Sequence, residues 1–270
     1  MPECLTLKSA TVRSVSVPLR RPVVSKVGLF QEWPLILIDL YTNEGVVGRG
    51  YLEPYLKQSP RYIIPVIDDL VASQIGKRLA PLDSFQASRR SLNLVGYEGI
   101  TMIAVVGIDM AIWDALAKAA GMPLAVMLGG SLGGVPAYNS NGLWLTDVST
   151  LAKEAKELVA EGQFKGLKLR LGRDRLADDV AALRAVREGA GDEIKLMVDF
   201  NQGLSLADAL ARCHALDNAG LYWFEEPIVY NNLSGYVSSR ANYRRPCRLA
   251  KISTDRAPSM MRSLPEPVTM

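Results

Sequence analysis

Three short stretches of this chain carry residue types that can do acid–base or metal chemistry. Lys168-Leu169-Arg170 sets two cations two residues apart, and Asp199-Phe200-Asn201 does the same with a carboxylate and an amide. Trp223-Phe224-Glu225 ends on a second carboxylate, followed by Glu226. On a β-strand, residues i and i+2 share a face. Lys168 and Arg170 then point together, as do Asp199 with Asn201 and Trp223 with Glu225, while Glu226 points away. Neighbouring strands lie roughly 4.8 Å apart, so Asp199 and Glu225 can reach one ion. Oxygen-only ligands favour Mg2+ over zinc. Plainer readings exist for each: Asp199 could cap the next helix, and Glu225 with Glu226 or the two cations could face water. His214, the only histidine, lies mid-helix beside Cys213 and reads as outer-helix packing.

The texture of the sequence supplies elements to position these residues. After Gly129-Gly130, short apolar strands are expected at Val135–Ser140, Gly166–Leu171, Ile194–Phe200 and Leu221–Glu225. Between them, Val148–Glu161, Arg175–Glu188 and Ser205–Ala219 keep helical spacing of apolar residues. A strand–helix–strand period predicts a parallel sheet with right-handed crossovers. Its usual closed form is an eight-stranded barrel with the chemistry at the strand C-termini. A doubly wound sheet is the alternative, but no glycine-rich phosphate loop follows any strand.

Upstream, Thr11–Pro18 alternates Val with polar residues, and Pro34–Leu40 with Val46–Gly48 reads as a β-hairpin around Thr42–Gly45. Helices are expected at Pro60–Ala72 and Gly99–Ala120, the latter ended by Gly121 and Pro123. The expected organisation is an α+β domain over residues 1–130, then a partial TIM-type (β/α) barrel over 131–235 with about four of eight strands. Residues 236–270 form an aberrant basic tail.

Composition narrows the function further. The chain has 270 residues, enough for a sizeable core. The apolar run Ile100–Leu128 is interrupted by Asp109, Asp114 and Lys118, so it reads as a buried helix, not a membrane span. No secretory leader is visible, and three scattered cysteines (Cys4, Cys213, Cys247) suit a reducing cytoplasm. From Tyr236 onward there are seven Lys/Arg against two Asp/Glu, so the remainder of the +3 chain carries a net −2. Basicity confined to the tail argues against a nucleic-acid partner.

The segment Gly107-Ile108-Asp109-Met110-Ala111-Ile112-Trp113-Asp114, with Gly121-Met122-Pro123-Leu124 and Leu128-Gly129-Gly130, resembles the hallmark helix of mandelate racemase and its relatives in the enolase superfamily. Val198-Asp199-Phe200-Asn201-Gln202 and Trp223-Phe224-Glu225-Glu226-Pro227 resemble that family's first two metal-ligand strands, and Val17-Pro18 with Val46-Val47-Gly48 resembles its capping domain. The resemblance implies Mg2+ ligands at Asp199 and Glu225. It implies substrate contacts at Ser140 and Asn201, with Lys168 near the substrate carboxylate. The reaction implied is removal of the proton α to a carboxylate, with a metal stabilising the enediolate. Enolase-superfamily sites generally pair a Lys or His base with Mg2+. Substrates would be small hydroxy acids or sugar acids; racemisation and acid-sugar dehydration are the two outcomes. Intact family members are homo-oligomers by the same resemblance.

Two positions depart from the family. Its lysine base occupies the second cation of a Lys-x-Lys motif, where this chain has Arg170, a group that stays protonated and suits a carboxylate or hydroxyl anchor. The base is then Lys168, a group elsewhere, or a perturbed Arg170. The third metal ligand, in a Gly-Glu-Asn segment beyond the second, is missing; Leu249-Ala250-Lys251-Ile252 stands there. Back-translating Leu249–Asp255 with a two-base offset can spell Gly-Glu-Asn-Phe-Tyr-Gly. A frame-shifted or truncated member is therefore expected, with an unpaired strand edge, marginal folding and little activity.

Overall fold

The computed structural model describes residues 4–242 and 247–248. The chain divides into two compact units: Met1–Leu19 with Glu32–Gly134, and Arg20–Gln31 with Val135–Met270. The tip of the first hairpin thus belongs with the second unit.

In the first unit, strands β1 (Leu7–Ser25), β2 (Gly28–Thr42) and β3 (Val47–Leu52) form one sheet in sequence order. β2 and β3 pair antiparallel from Ile36↔Leu52 to Tyr41↔Val47, as the alternating pattern predicts. Thr42 closes their turn by accepting the Val46 N–H at 3.0 Å through its hydroxyl. Ile36, Ile38 and Leu40 alternate into a core shared with helices α1 (Pro60–Ala72) and α3 (Ile100–Ala119). Helix α2 (Pro81–Ser91) and the single turn α4 (Leu124–Met127) complete the unit. α3 is long and apolar enough to cross a membrane by composition. Its Ala104, Ile108, Ala111, Ile112 and Ala115 are instead buried in this core.

The hallmark segment earns its residue types through packing. A Cβ on Gly48 would lie 2.0 Å from the Ala111 carbonyl oxygen, so β3 can approach α3 only without a side chain there. Asp114 accepts the Arg49 N–H at 2.7 Å and fixes the same contact from the helix side. Asp109, half-buried on α3, has its pKa raised by desolvation.

In the second unit, α5 (Val148–Ala160), β4 (Gly166–Arg170), α6 (Leu176–Ala190), β5 (Lys195–Asp199), α7 (Leu206–Leu216), β6 (Leu221–Glu225), α8 (Leu233–Asn242) and β7 (Cys247–Arg248) alternate. The strands form a parallel sheet in the order β4-β5-β6-β7. This is the expected architecture of an α+β domain and a partial (β/α) barrel. Leu167, Leu169, Val198 and Phe224 project into the helix-covered core. Lys168, Arg170, Asp199, Trp223 and Glu225 alternate with them and take the opposite face.

Two differences from expectation stand out. The first strand, Val135–Ser140, is reduced to one parallel bridge, Asn139↔Leu167. The Asn139 amide donates to the Leu158 carbonyl at 3.2 Å and to Glu161 Oε2 at 3.1 Å, pinning the end of α5. Beyond Tyr236, where no barrel strand was expected, α8 is followed by β7 pairing Phe224↔Cys247 and Glu225↔Arg248. The family-like third-ligand segment in the alternate reading of Leu249–Asp255 lies outside the described residues.

Gly48→Ala should lower stability by about 1–3 kcal/mol through overpacking against a backbone atom, read as a fall in the urea midpoint. The Asp109 shift has a signed consequence: a carboxyl whose pKa rises on folding destabilises the fold as pH climbs through its titration. Asp109→Asn should therefore raise the melting temperature at pH 7 and leave it unchanged at pH 3; equal gains at both pH values would contradict the assignment.

Candidate metal and active site

The site is built where β4, β5 and β6 end. Register pairs Arg170 with Asp199 and Asp199 with Glu225, so their side chains line up across three strands. Lys168 Nζ lies 2.9 Å from Glu225 Oε1 and 3.3 Å from Asp199 Oδ2, so one ammonium touches both carboxylates. Arg170 Nε lies 3.6 Å from the same Asp199 oxygen. All four groups are buried, with Asp199 fully so. Glu225 and Glu226 are therefore not a solvated strand end, and the cations do not face water. Trp223 Nε1 donates to Glu225 Oε2 at 3.1 Å, which confirms that the pair shares a face.

A neutral set of two acids and two bases solves the desolvation problem of each member. Burial still lowers the Arg170 pKa against the attraction of Asp199 and Glu225, leaving a guanidinium that is protonated at neutral pH. Two carboxylates with oxygen donors suit a hard divalent cation that completes its shell from water and ligand. Among the described residues, no three His, Cys, Asp or Glu side chains converge on a common point.

The strand ends are closed by left-handed backbone. Asn201 (φ 48°) and Gln202 (φ 62°) follow β5, Glu226 (φ 46°) follows β6, and Leu143 (φ 53°) follows the Asn139 bridge. Non-glycine residues in this conformation gather where structure overrides local preference. β5 ends at Asp199, so strand alternation does not carry through to Asn201. Its backbone N–H donates instead to Asp199 Oδ1 at 2.8 Å. Capping of α7 falls to Ser205, which accepts the Asp208 N–H, so Asp199 is left for the site. Ser140 is half-buried and follows Asn139, whose carbonyl accepts the Lys168 N–H at 3.1 Å. His214 is exposed in the last turn of α7, so it does not pack the outer helices.

Sequence reasoning missed an aromatic wall and a clamp. The Tyr138 ring lies 5.8 Å from Lys168 Nζ, and the Trp144 ring lies 4.5 Å from the Arg170 guanidinium carbon. Tyr138 lies in the expected strand Val135–Ser140 and Trp144 just beyond it, and strand periodicity singles out neither as a partner for the cations. Behind β4, the buried Asp179 accepts the Gly172 N–H at 3.1 Å and the Arg173 N–H at 3.0 Å. It also pairs with Arg212 of α7. Arg173 in turn donates to the Arg170 carbonyl at 3.1 Å. The hairpin tip joins this end of the sheet: a Cβ on Gly203 would lie 2.5 Å from Lys26 Cγ, so a glycine there admits the lysine stem.

Residues 8–129 match the description of the mandelate racemase/muconate lactonizing enzyme N-terminal domain, and residues 150–254 that of the enolase C-terminal domain-like family. A crystal structure of an enolase from the alpha proteobacterium bal199 with bound Mg is 50% identical, with a TM-score of 0.88. The match covers 90% of this chain and 68% of that one. The chain belongs to the enolase superfamily. Within it, a Bradyrhizobium enolase complexed with magnesium and mandelic acid is 35% identical, with a TM-score of 0.85, over 92% of this chain and 68% of that one. The L-talarate/galactarate dehydratase of Salmonella typhimurium is 35% identical over 161 residues, 59% of this superfamily member and 40% of the dehydratase. This chain spans about half the length of the curated relatives it matches. Those relatives are enzymes, dehydratases and epimerases among them.

Lys168→Met should cost about 3 kcal/mol of stability, because it leaves two buried carboxylates without their shared cation. Urea unfolding at neutral pH reads this directly, and a loss below about 1 kcal/mol would mean that the lysine does not hold them.

Proposed function

We propose that this site abstracts the proton α to the carboxylate of a 2-hydroxy acid and returns it, as a Mg2+-dependent racemase does. The observation that carries this reading is the single ammonium of Lys168 in contact with both Asp199 and Glu225. It requires the two carboxylates to converge from neighbouring strands, where a divalent ion would need them. Crystal structures of relatives with bound magnesium support the same choice of ion. Bound by these carboxylates, Mg2+ supplies Lewis-acid stabilisation of charge developing on the substrate carboxylate.

The chain's own residues divide the remaining work. Lys168 is the amine placed beside the carboxylates, and we assign it the proton transfer. Arg170, held between Asp199 and the Trp144 ring, anchors a carboxylate or hydroxyl oxygen rather than acting as a base. Ser140 and Asn201, at the ends of their segments, contact the substrate. The buried surroundings exclude water that would otherwise weaken these electrostatic contacts. A cytoplasmic setting fits three cysteines, Cys4, Cys213 and Cys247, that are odd in number and far apart in sequence.

A second reading, dehydration of an acid sugar, is favoured by Arg170 in place of a second lysine and by the names of the dehydratase relatives. Only two carboxylates converge among the described residues, so weak Mg2+ binding and slow turnover are expected of the 270-residue chain.

Calorimetric titration should show saturable Mg2+ binding that Asp199→Asn abolishes. Loss of optical rotation from a single mandelate enantiomer supports the racemase, and 2-keto-acid formation from galactarate supports the dehydratase. No saturable Mg2+ binding would mark a non-catalytic remnant and end both readings.

A further inference from the structure

Two donors beside the carboxylates lack an acceptor within hydrogen-bond distance among the described residues, Arg170 Nε having only the longer 3.6 Å ion pair with Asp199 Oδ2. Trp144 Nε1 and Arg170 Nε are both buried N–H groups without a hydrogen-bond partner among the described residues. Their residues are 8% and 5% exposed, so water does not satisfy them freely. Burying a donor without an acceptor is costly, and native structures rarely tolerate it away from a ligand site. Here two such donors sit together, with the Arg170 guanidinium carbon 4.5 Å from the centre of the Trp144 ring.

The surrounding backbone holds the pair in place. The Arg170 N–H donates to the Leu143 carbonyl at 2.9 Å, tying β4 to the segment that carries Trp144. Leu143 itself sits in the left-handed region, which turns the chain at that point. Arg170 Nη1 is directed to the Lys168 carbonyl at 3.4 Å, so the guanidinium is oriented from its other side. Its Nε end lies 3.6 Å from Asp199 Oδ2 and therefore borders the position where the carboxylates converge.

We propose that Trp144 Nε1 and Arg170 Nε form a subsite for an acceptor oxygen of the acid substrate, with Trp144 a substrate-binding residue. The inference rests on the acid-substrate reading above and deepens it. Indole and guanidinium N–H groups donate and cannot accept, so the complementary atom is a carboxylate oxygen or the 2-hydroxyl oxygen. A 2-ammonium group would add a third cation beside Lys168 and Arg170 and is excluded there. The ligand class is thus an acid that sets a carboxylate or 2-hydroxyl oxygen, and no ammonium, against these two donors.

The test is binding of mandelate and of phenylacetate, which lacks the 2-hydroxyl, to the 270-residue chain in Mg2+. Calorimetry on wild type and Trp144→Phe is combined with the indole N–H resonance of Trp144. Phenylalanine keeps an aromatic plate against Arg170 and removes only the donor. We expect Trp144→Phe to weaken mandelate binding about five- to thirty-fold, the range for one lost donor, with Mg2+ affinity unchanged. The Trp144 indole resonance should move downfield on mandelate addition. Equal weakening of phenylacetate assigns the oxygen to the carboxylate; weakening of mandelate alone assigns it to the hydroxyl. If both acids bind and Trp144→Phe leaves them within twofold with the resonance unmoved, this subsite falls and the acid reading stands. If Mg2+ binds but neither acid does, both fall. Should Trp144→Phe fail to fold, the wild-type resonance decides alone, assigned through substitutions of Trp33, Trp113 and Trp223.

Discussion

The second unit depends on one electrostatic constraint: two carboxylates and two cations are buried together at the ends of three parallel strands. None of the four could be buried alone, because desolvation of a single charge costs more than packing returns. Lys168 meets this constraint by touching Asp199 and Glu225 at once. The flanking register Arg170↔Asp199↔Glu225 follows from strand pairing, and the alternating Leu167, Leu169, Val198 and Phe224 secure that pairing from the other face. Core and site are thus the two faces of the same strands.

That coupling explains what the sequence made legible. Alternation within Lys168-Leu169-Arg170 and Trp223-Phe224-Glu225 was enough to predict which side chains share a face. A repeating strand–helix unit was enough to predict a parallel sheet. The prediction lost its footing where strands end, since alternation has no meaning in a left-handed turn. Asn201 joins Asp199 through its backbone N–H for this reason. Leu143, Asn201, Gln202 and Glu226 give no glycine signal to mark those turns. The Val135–Ser140 strand was overread because apolar content was counted while the side-chain role of Asn139 was invisible. Trp144 looked like an ordinary apolar residue between two leucines, and only its place against Arg170 distinguishes it.

In the first unit the relation between motif and role differs. The most recognisable segment, Gly107 to Asp114, is explained by close packing of α3 on β3 and by the Asp114 bond to Arg49, with no chemistry needed. A distinctive motif can therefore report a packing requirement as strict as that of a catalytic group. The weaker signals at Lys168, Asp199 and Glu225 mark the buried charged cluster.

The Asp179 clamp has a consequence for how this unit can change over generations. Its carboxylate gathers two backbone N–H groups from the loop after β4 and the guanidinium of Arg212 from the following helix. Losing Asp179 strands the largely buried Arg212, and losing Arg212 leaves Asp179 only the longer 3.8 Å pair with Arg173, whereas losing both removes the conflict. Drift at Asp179 and Arg212 should accordingly be epistatic, with lineages that abandon the pair doing so in concert. The loop carrying Gly172 and Arg173 would then have to find another anchor.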